Sequence, residues 1–198
     1  MVPEPWYADI LKSLLSVLVG AAVVYYFGIR HLTTQRRLGF LDRQLSEFYA
    51  PLAGFRKQIR AASEVREKVA ALANDAWQDI CRSYGDRPMV DHAARFAPFK
   101  KIIEYDNAQL QAELVPKYRQ MLAIFTDRYH LADEDTRPYY QDLVEFVEIW
   151  NRTLADALPA EVIHKLQHRE AKLREFYDHL ETKMQRLQDE IARGGIRP

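Results

Sequence analysis

Cysteine is almost missing from this sequence: Cys81 stands alone, so no internal disulfide can form, and no CxxC pair or Cys/His cluster offers a zinc knuckle. Glycine is scarce, with 7 residues in 198, and strict two-residue alternation of apolar side chains is rare, which argues against strands and their tight turns. There is no excess of either charge: Lys plus Arg and Asp plus Glu both number 28, so no global field draws the chain to nucleic acid or to an acidic substrate. Also lacking are a glycine-rich phosphate loop, a nucleophile elbow and a Cys-His-Asn arrangement. No catalytic residue, cofactor or resident metal is therefore expected, and the chain does not read as an enzyme. What remains is apolar spacing of three and four nearly everywhere, which predicts an all-α fold.

One stretch departs from that spacing. Ser13 to Ile29 reads SLLSVLVGAAVVYYFGI, without a charge, and the apolar character reaches back through Leu11 and Ile10 to Trp6. At ~1.5 Å per helical residue, ~20 residues cross a hydrocarbon core of ~30 Å. The expectation is one N-terminal transmembrane helix over 10–29, its apolar span beginning as early as 6, with Trp6, Tyr7, Tyr25 and Tyr26 as interfacial anchors. Before it stands one lysine, Lys12, with Glu4 and Asp9. After it come Arg30, His31, Arg36, Arg37 and Arg43. The positive-inside rule then puts a short extracytoplasmic N-terminus at 1–9 and a cytoplasmic helical domain at 30–198: a single-pass protein of a bacterial inner membrane, N-terminus out, with Cys81 reduced. A cleaved signal peptide fits less well, because the stretch lacks a basic n-region and ends on bulky Tyr25, Tyr26 and Phe27.

Beyond the arginines, Leu38, Leu41, Leu45, Phe48, Leu52, Phe55, Ile59, Ala62, Val65 or Arg66, Val69, Leu72 and Ala76 alternate steps of three and four, the seam of a left-handed coiled coil or bundle helix. Pro51 predicts a kink or restart, and Gly85-Asp86-Arg87-Pro88 ends the helix. Three shorter helices follow, over 91–105 with Asp91 as N-cap and Pro98 as a disturbance, 116–131 opened by Pro116, and 138–156 opened by Pro138. A last long helix runs from Pro159 through Leu166, Leu173, Tyr177, Leu180, Met184, Leu187 and Ile191 to Gly194-Gly195. The simplest packing pairs the two long coiled-coil-like helices antiparallel, with the three shorter ones bundled at one end.

Three stretches together, Leu45-Ser-Glu-Phe-Tyr-Ala-Pro-Leu52, Ile102-Ile-Glu-Tyr-Asp-Asn-Ala-Gln-Leu110, and Tyr140 to Trp150 with the Leu158-Pro159 helix start, resemble an uncharacterised family of small bacterial helical proteins, commonly membrane-anchored. The likeness covers about 45–190. Glu145-Phe-Val-Glu-Ile-Trp150 stands where that family has a His-Val-x-x-Tyr run. The resemblance implies a helical fold and a bacterial source, and carries no activity or catalytic residue with it.

The closest approach to a metal motif is His164-Lys-Leu-Gln-His168, two histidines on one helix face with Glu161 a turn earlier, but two ligands without the HExxH glutamate do not make a zinc site, and a solvated face explains them. Asp133, Glu134 and Asp135, like Glu145 and Glu148, read as caps and exposed faces, and Cys81 as a buried structural thiol. Arg30, Arg36, Arg37 and Arg43 can meet anionic lipid headgroups. The function expected is a membrane-tethered interaction or scaffold module, with an unidentified protein partner or a homo-oligomer meeting the seam residues Leu45, Phe48, Leu52, Leu173, Leu180 and Leu187. These same residues equally suit internal core. The alternative is a membrane effector or sensor of a bacterial stress or antiphage response, its spans gathered through Ser13, Ser16, Gly20, Ala21 and Ala22.

Overall fold

The computed structural model describes residues 7–84, 91–166 and 170–194, with side chains throughout except those of 7–17, 22 and 23. Among them every regular element is a helix. In chain order these are α1 (Tyr7–Arg43), α2 (Ala50–Tyr84), α3 (His92–Gln109), α4 (Val115–Asp127), α5 (Tyr139–Leu154), the single turn α6 (Ala160–Ile163) and α7 (Arg174–Ala192). The chain divides into two compact units, Gln44–Gln185 and the paired segments Met1–Arg43 and Arg186–Pro198.

Two prolines shape the larger unit in the same way. Proline lacks an N–H and its ring collides with the carbonyl four residues back, which ordinarily breaks a helix. Here a π-helical segment, Gln44–Tyr49, ends two residues before Pro51, and a second, Leu110–Leu114, ends two residues before Pro116. The wider π turn absorbs the mismatch, and helix continues on both sides. At Pro51, where a kink or restart was expected, α2 begins at Ala50 directly after the π segment, with no gap in the helix. Pro116 stands in the first turn of α4 as expected, but that helix is not separated from α3: residues 92–127 are helical without a gap where two helices over 91–105 and 116–131 were expected. Pro98 sits inside α3. Asp91 does take the N-cap position of α3, but in a left-handed conformation (φ 64°) with no side-chain capping bond; its carbonyl accepts the Arg95 N–H at 3.1 Å instead.

The last helix is likewise not one piece. After Pro159 the chain makes only α6, turns at His164–Leu166, and resumes through a 3₁₀ turn at Glu170–Leu173 before α7. Tertiary contacts override propensity there. Glu170 meets Arg56 at 2.6 Å, Lys172 meets Glu145 at 2.5 Å, and Leu173 is fully buried. At the far end Gly194, with φ +70°, adopts the left-handed turn that follows the helix, its N–H on the Ile191 carbonyl.

The core of the larger unit joins the start of α2 to α4, α5 and α7. Phe48, Tyr49, Leu52, Ile59, Met121, Phe125, Leu143, Phe146, Leu173, Phe176 and Leu180 are all buried. Phe125 sits at the centre, edge-on to Phe48 at 5.1 Å between centroids and stacked with Phe176 at 5.9 Å. The first half of α7 runs antiparallel to α2: Tyr49 connects through Thr136 to His179, while Arg56, seven residues on, lies over the Tyr177 ring and pairs with Glu170. Beyond Ser63 this core stops. The remainder of α2 packs on α3, around the aromatic group Trp77, His92, Phe96 and Phe99, with Trp77 5.1 Å from both His92 and Phe96.

In the smaller unit, Leu41 and Leu187 are buried and Arg37 pairs with Glu190. The rest of α1 is different. Leu18, Val19, Val24, Tyr25, Tyr26, Phe27, Ile29 and Leu32 are exposed, from 44% at Ile29 to 73% at Val24. The expected span 10–29 falls partly on side chains outside the described residues, those of 10–17, 22 and 23. Among the described residues no helix is long and apolar enough to cross a membrane.

Candidate interaction surface

Three features of the fold bear on function: a polar clamp on the bundle, an open face on the α2–α3 arm, and a set of arginines on α1. The clamp is built on the loop between α4 and α5. The Gln44 side-chain amide donates to the Leu131 carbonyl at 2.7 Å and to the Asp133 carboxylate at 2.9 Å. The Asp133 N–H donates to the Tyr49 hydroxyl, Tyr49 meets the fully buried Thr136 at 2.8 Å, and Thr136 meets His179 Nε2 at 2.8 Å. These bonds run in one direction when His179 accepts at Nε2, the tautomer that keeps its proton on Nδ1. Lys183, almost wholly buried, closes the group on Asp133 at 2.8 Å and Asp135 at 2.9 Å.

The titration of these groups follows from that packing. Burial holds the His179 pKa below the ordinary histidine value, with Lys183 adding to the effect. Burial works against the Lys183 ammonium, yet its hydrogen bonds and attraction to Asp133 and Asp135 outweigh this and raise its pKa. Burial likewise opposes the Asp135 carboxylate, and Lys183 reverses the balance and lowers its pKa. Burial raises Tyr49 above the usual phenol value, against the opposing effect of its hydrogen bond with Thr136. Lys183 held by two carboxylates and His179 Nε2 on Thr136 tie these elements into one polar group. The chemistry fits a lock that ties the α4–α5 loop to the π segment and α7. Asp133, half-buried, and Asp135, exposed as expected, are in addition ion-pair partners of Lys183, far along the chain.

A second buried group lies where Arg56 stacks 4.1 Å over Tyr177. Burial pushes both Tyr118 and Tyr177 far above the phenol value. The Tyr177 hydroxyl has no hydrogen-bond partner of good geometry among the described residues.

The seam residues considered for a partner lie in the chain's own interior: Phe48, Leu52, Leu173 and Leu180 are buried and Leu45 is half-buried in the larger unit, and Leu187 is buried in the smaller one. Free apolar surface lies further along α2. Val65, Val69 and Leu72 are exposed, with Ala62 and Ala76 extending the stripe, and on α3 Ile103 and Tyr105 are exposed beside them. Between the two helices is a cleft of about 480 Å³ with Ala62, Val65, Val69, Ile102 and Tyr105 on its walls and Arg66 and Lys101 at its edge. A smaller one of about 200 Å³ continues over Trp77, Phe96 and Phe99. Cys81 is exposed, not buried as expected: its apolar neighbours in sequence, Ile80 and Tyr84, are themselves only half-buried, so this turn of α2 lies outside the closed core. The sequence signal for this surface was present in the 62–76 spacing, which does not say which turns of a seam find a partner.

Of the four arginines, Arg37 is engaged by Glu190, while Arg30, Arg36 and Arg43 carry no ion pair among the described residues. Among the described residues no group of three His, Cys, Asp or Glu is placed to hold a metal; His164 is exposed, and His168 lies outside the described residues. The chain matches no family model, no curated protein and no solved structure.

Proposed function

We propose that this chain is a membrane-tethered helical interaction module that acts by protein–protein binding. The first part of α1 is the tether, the closed bundle is a rigid base, and the α2–α3 arm presents the docking face. The observation that carries the reading is the run of large apolar side chains from Leu18 to Leu32, exposed in a chain whose other large exposed apolar residues are mostly on the arm. In water such a helix surface would be costly; in lipid it is solvated. The charge-free sequence from Ser13 to Ile29 and the arginines Arg30, Arg36 and Arg43 just beyond it support a span over 10–29 with the helical domain on the cytoplasmic side of a bacterial membrane. The resemblance of 45–190 to small bacterial membrane-anchored helical proteins agrees with it.

Cys81 provides the test, being exposed and the only cysteine. Tagged full chain produced in a bacterium is expected to stay in the membrane fraction through an alkaline carbonate wash. A membrane-impermeant maleimide is expected to label it only after the cells are opened. Release by carbonate would remove the tether, and labelling of intact cells would reverse the orientation.

A further inference from the structure

We infer that the groove between α2 and α3 receives one amphipathic helix of a partner protein, laid along the arm as its third helix, with acidic residues on both shoulders of its apolar face. This rests on the reading of the arm as the docking face and names the chemistry of what docks there.

Two helices side by side leave an apolar groove along their line of contact, and a third helix laid in it completes a bundle. On the arm this groove is the cleft of about 480 Å³, with Ala62, Val65 and Val69 on the α2 wall, Ile102 and Tyr105 on the α3 wall, and the buried Leu114 at its base. Val65 and Tyr105, one from each wall, are 63% and 65% exposed. The apolar side chains of the α2 wall are short, alanine and valine, so the space between the walls suits large residues of an incoming helix. From Ala62 to Val69 the wall runs about 10 Å, and exposed Leu72 and Ala76 carry the same stripe to about 21 Å. That length takes about four turns of a helix presenting apolar residues at spacings of three and four.

The charges around the groove give the sign of the partner. Over the whole chain they balance, but here Arg66 and Lys101 line the cleft and Lys68 flanks its α2 wall, and none of the three is in an ion pair among the described residues. Arg60 with Glu64, and Lys100 with Glu104, neutralise one another nearby. On the other side of the ledger stand Asp106, half-buried where this cleft meets the smaller one, and Asp75, a heptad beyond Lys68. Lys68 on the α2 edge and Lys101 on the α3 edge therefore set a cation on each side of whatever lies between them. A helix with acidic shoulders meets both, and one with basic shoulders is repelled by both. A single-chain lipid would fill the apolar volume, but its one headgroup could not answer cations on opposite edges.

The test is photocrosslinking in cells of the source organism, with full chain carrying p-benzoylphenylalanine at Val65 or Tyr105, or at Glu67, an exposed control on the opposite face of α2. Adducts are mapped to the residue by mass spectrometry. Val65 and Tyr105 are expected to capture the same segment of one other protein, with apolar residues at three-and-four spacing and Asp or Glu beside them, and Glu67 to capture none of it. Lys68→Glu together with Lys101→Glu, both at exposed positions, should lower that capture at least about tenfold, and lysines in place of the acidic residues of the captured segment should restore it. Capture of a second copy of this chain, of lipid alone, or of a segment without acidic shoulders would overturn the proposal, as would capture that survives the charge reversal. So would full membrane retention with no capture, which leaves the tether standing. The expected capture by a chain that washes off the membrane would do the reverse, upholding the groove and removing the tether.

Discussion

Leu52 and Ile59 are fully buried, while Val65 and Leu72, further along the same helix and in the same three-and-four rhythm, are 63% and 61% exposed. The difference lies in what reaches them. Around the first half of α2 stand α4 and α7, with Arg56 over the Tyr177 ring, and α5 closes the same core against α4; a π turn before each of Pro51 and Pro116 and the clamp on the α4–α5 loop go with that arrangement. Along the second half, the packing seen among the described residues is with α3, through Trp77 on Phe96 and Phe99. A heptad seam records the need for a neighbour and is silent on whether the neighbour belongs to the same chain.

The sharpest way to break this comparison is to truncate both halves. Phe48→Ala or Leu52→Ala should cost about 3–5 kcal/mol of stability, because each leaves a cavity in a closed core, whereas Leu72→Ala in the dilute, unpaired chain should stay within about 0.5 kcal/mol. Urea titration followed by tryptophan fluorescence measures both. Equal losses at Leu52 and Leu72 would mean that the arm is core as well. Next in size is Lys183→Met, which strands two carboxylates that partly face water. A loss of about 1–3 kcal/mol is expected in the same titration, and a neutral result would show that the clamp does not hold the α4–α5 loop.

Much of the helical content was legible from spacing alone, and the core residues Phe48, Leu52, Leu143, Phe146, Leu173 and Leu180 fall on the stripes that predicted them. Pro116 and Pro138 stand at helix starts as their type suggested, but spacing did not show that the chain passes Pro51 and Pro116 without a gap, by widening the turn before each. The division of the last helix was illegible for another reason: Glu170 and Lys172 answer to Arg56 and Glu145, partners 114 residues and 27 residues away in sequence. The same holds for the clamp, where Lys183 reads as surface until Asp133 and Asp135 are beside it. Cys81 was placed on an apolar stripe, but this turn of α2 lies outside the closed core.

A smaller effect separates the halves by pH. His179 has a folded pKa below its ordinary 6.5, so as pH falls the unfolded chain takes up the proton first and stability drops through 6.5 until the folded pKa is reached. Protonation also leaves Thr136 and His179 both donating. Lys183 acts at the other end: its pKa is raised above 10.5, so its contribution is complete below that value and is lost as pH climbs through the folded one. Urea midpoints against pH should show both slopes, and His179→Asn should remove the acidic one. If that slope persists, the clamp is not its source. Smallest is Tyr177→Phe. It removes a buried hydroxyl that makes no hydrogen bond of good geometry among the described residues and keeps the ring under Arg56, so it should be neutral or stabilising by up to about 1 kcal/mol; a clear loss would reveal a hydrogen bond on that oxygen, with the neighbouring Tyr118 as its partner.

The most direct measurement of the central claim is thiol reactivity along α2 in dilute detergent solution, with single cysteines at Leu52, Ile59, Val65 and Leu72 on a Cys81→Ser background. A base closed on itself and an arm open to a partner predict that the cysteines at 65 and 72 react at the rate of an exposed thiol, and that those at 52 and 59 react only after unfolding. Fast reaction at 52 and 59, or protection at 65 and 72 in the isolated chain, would contradict the account.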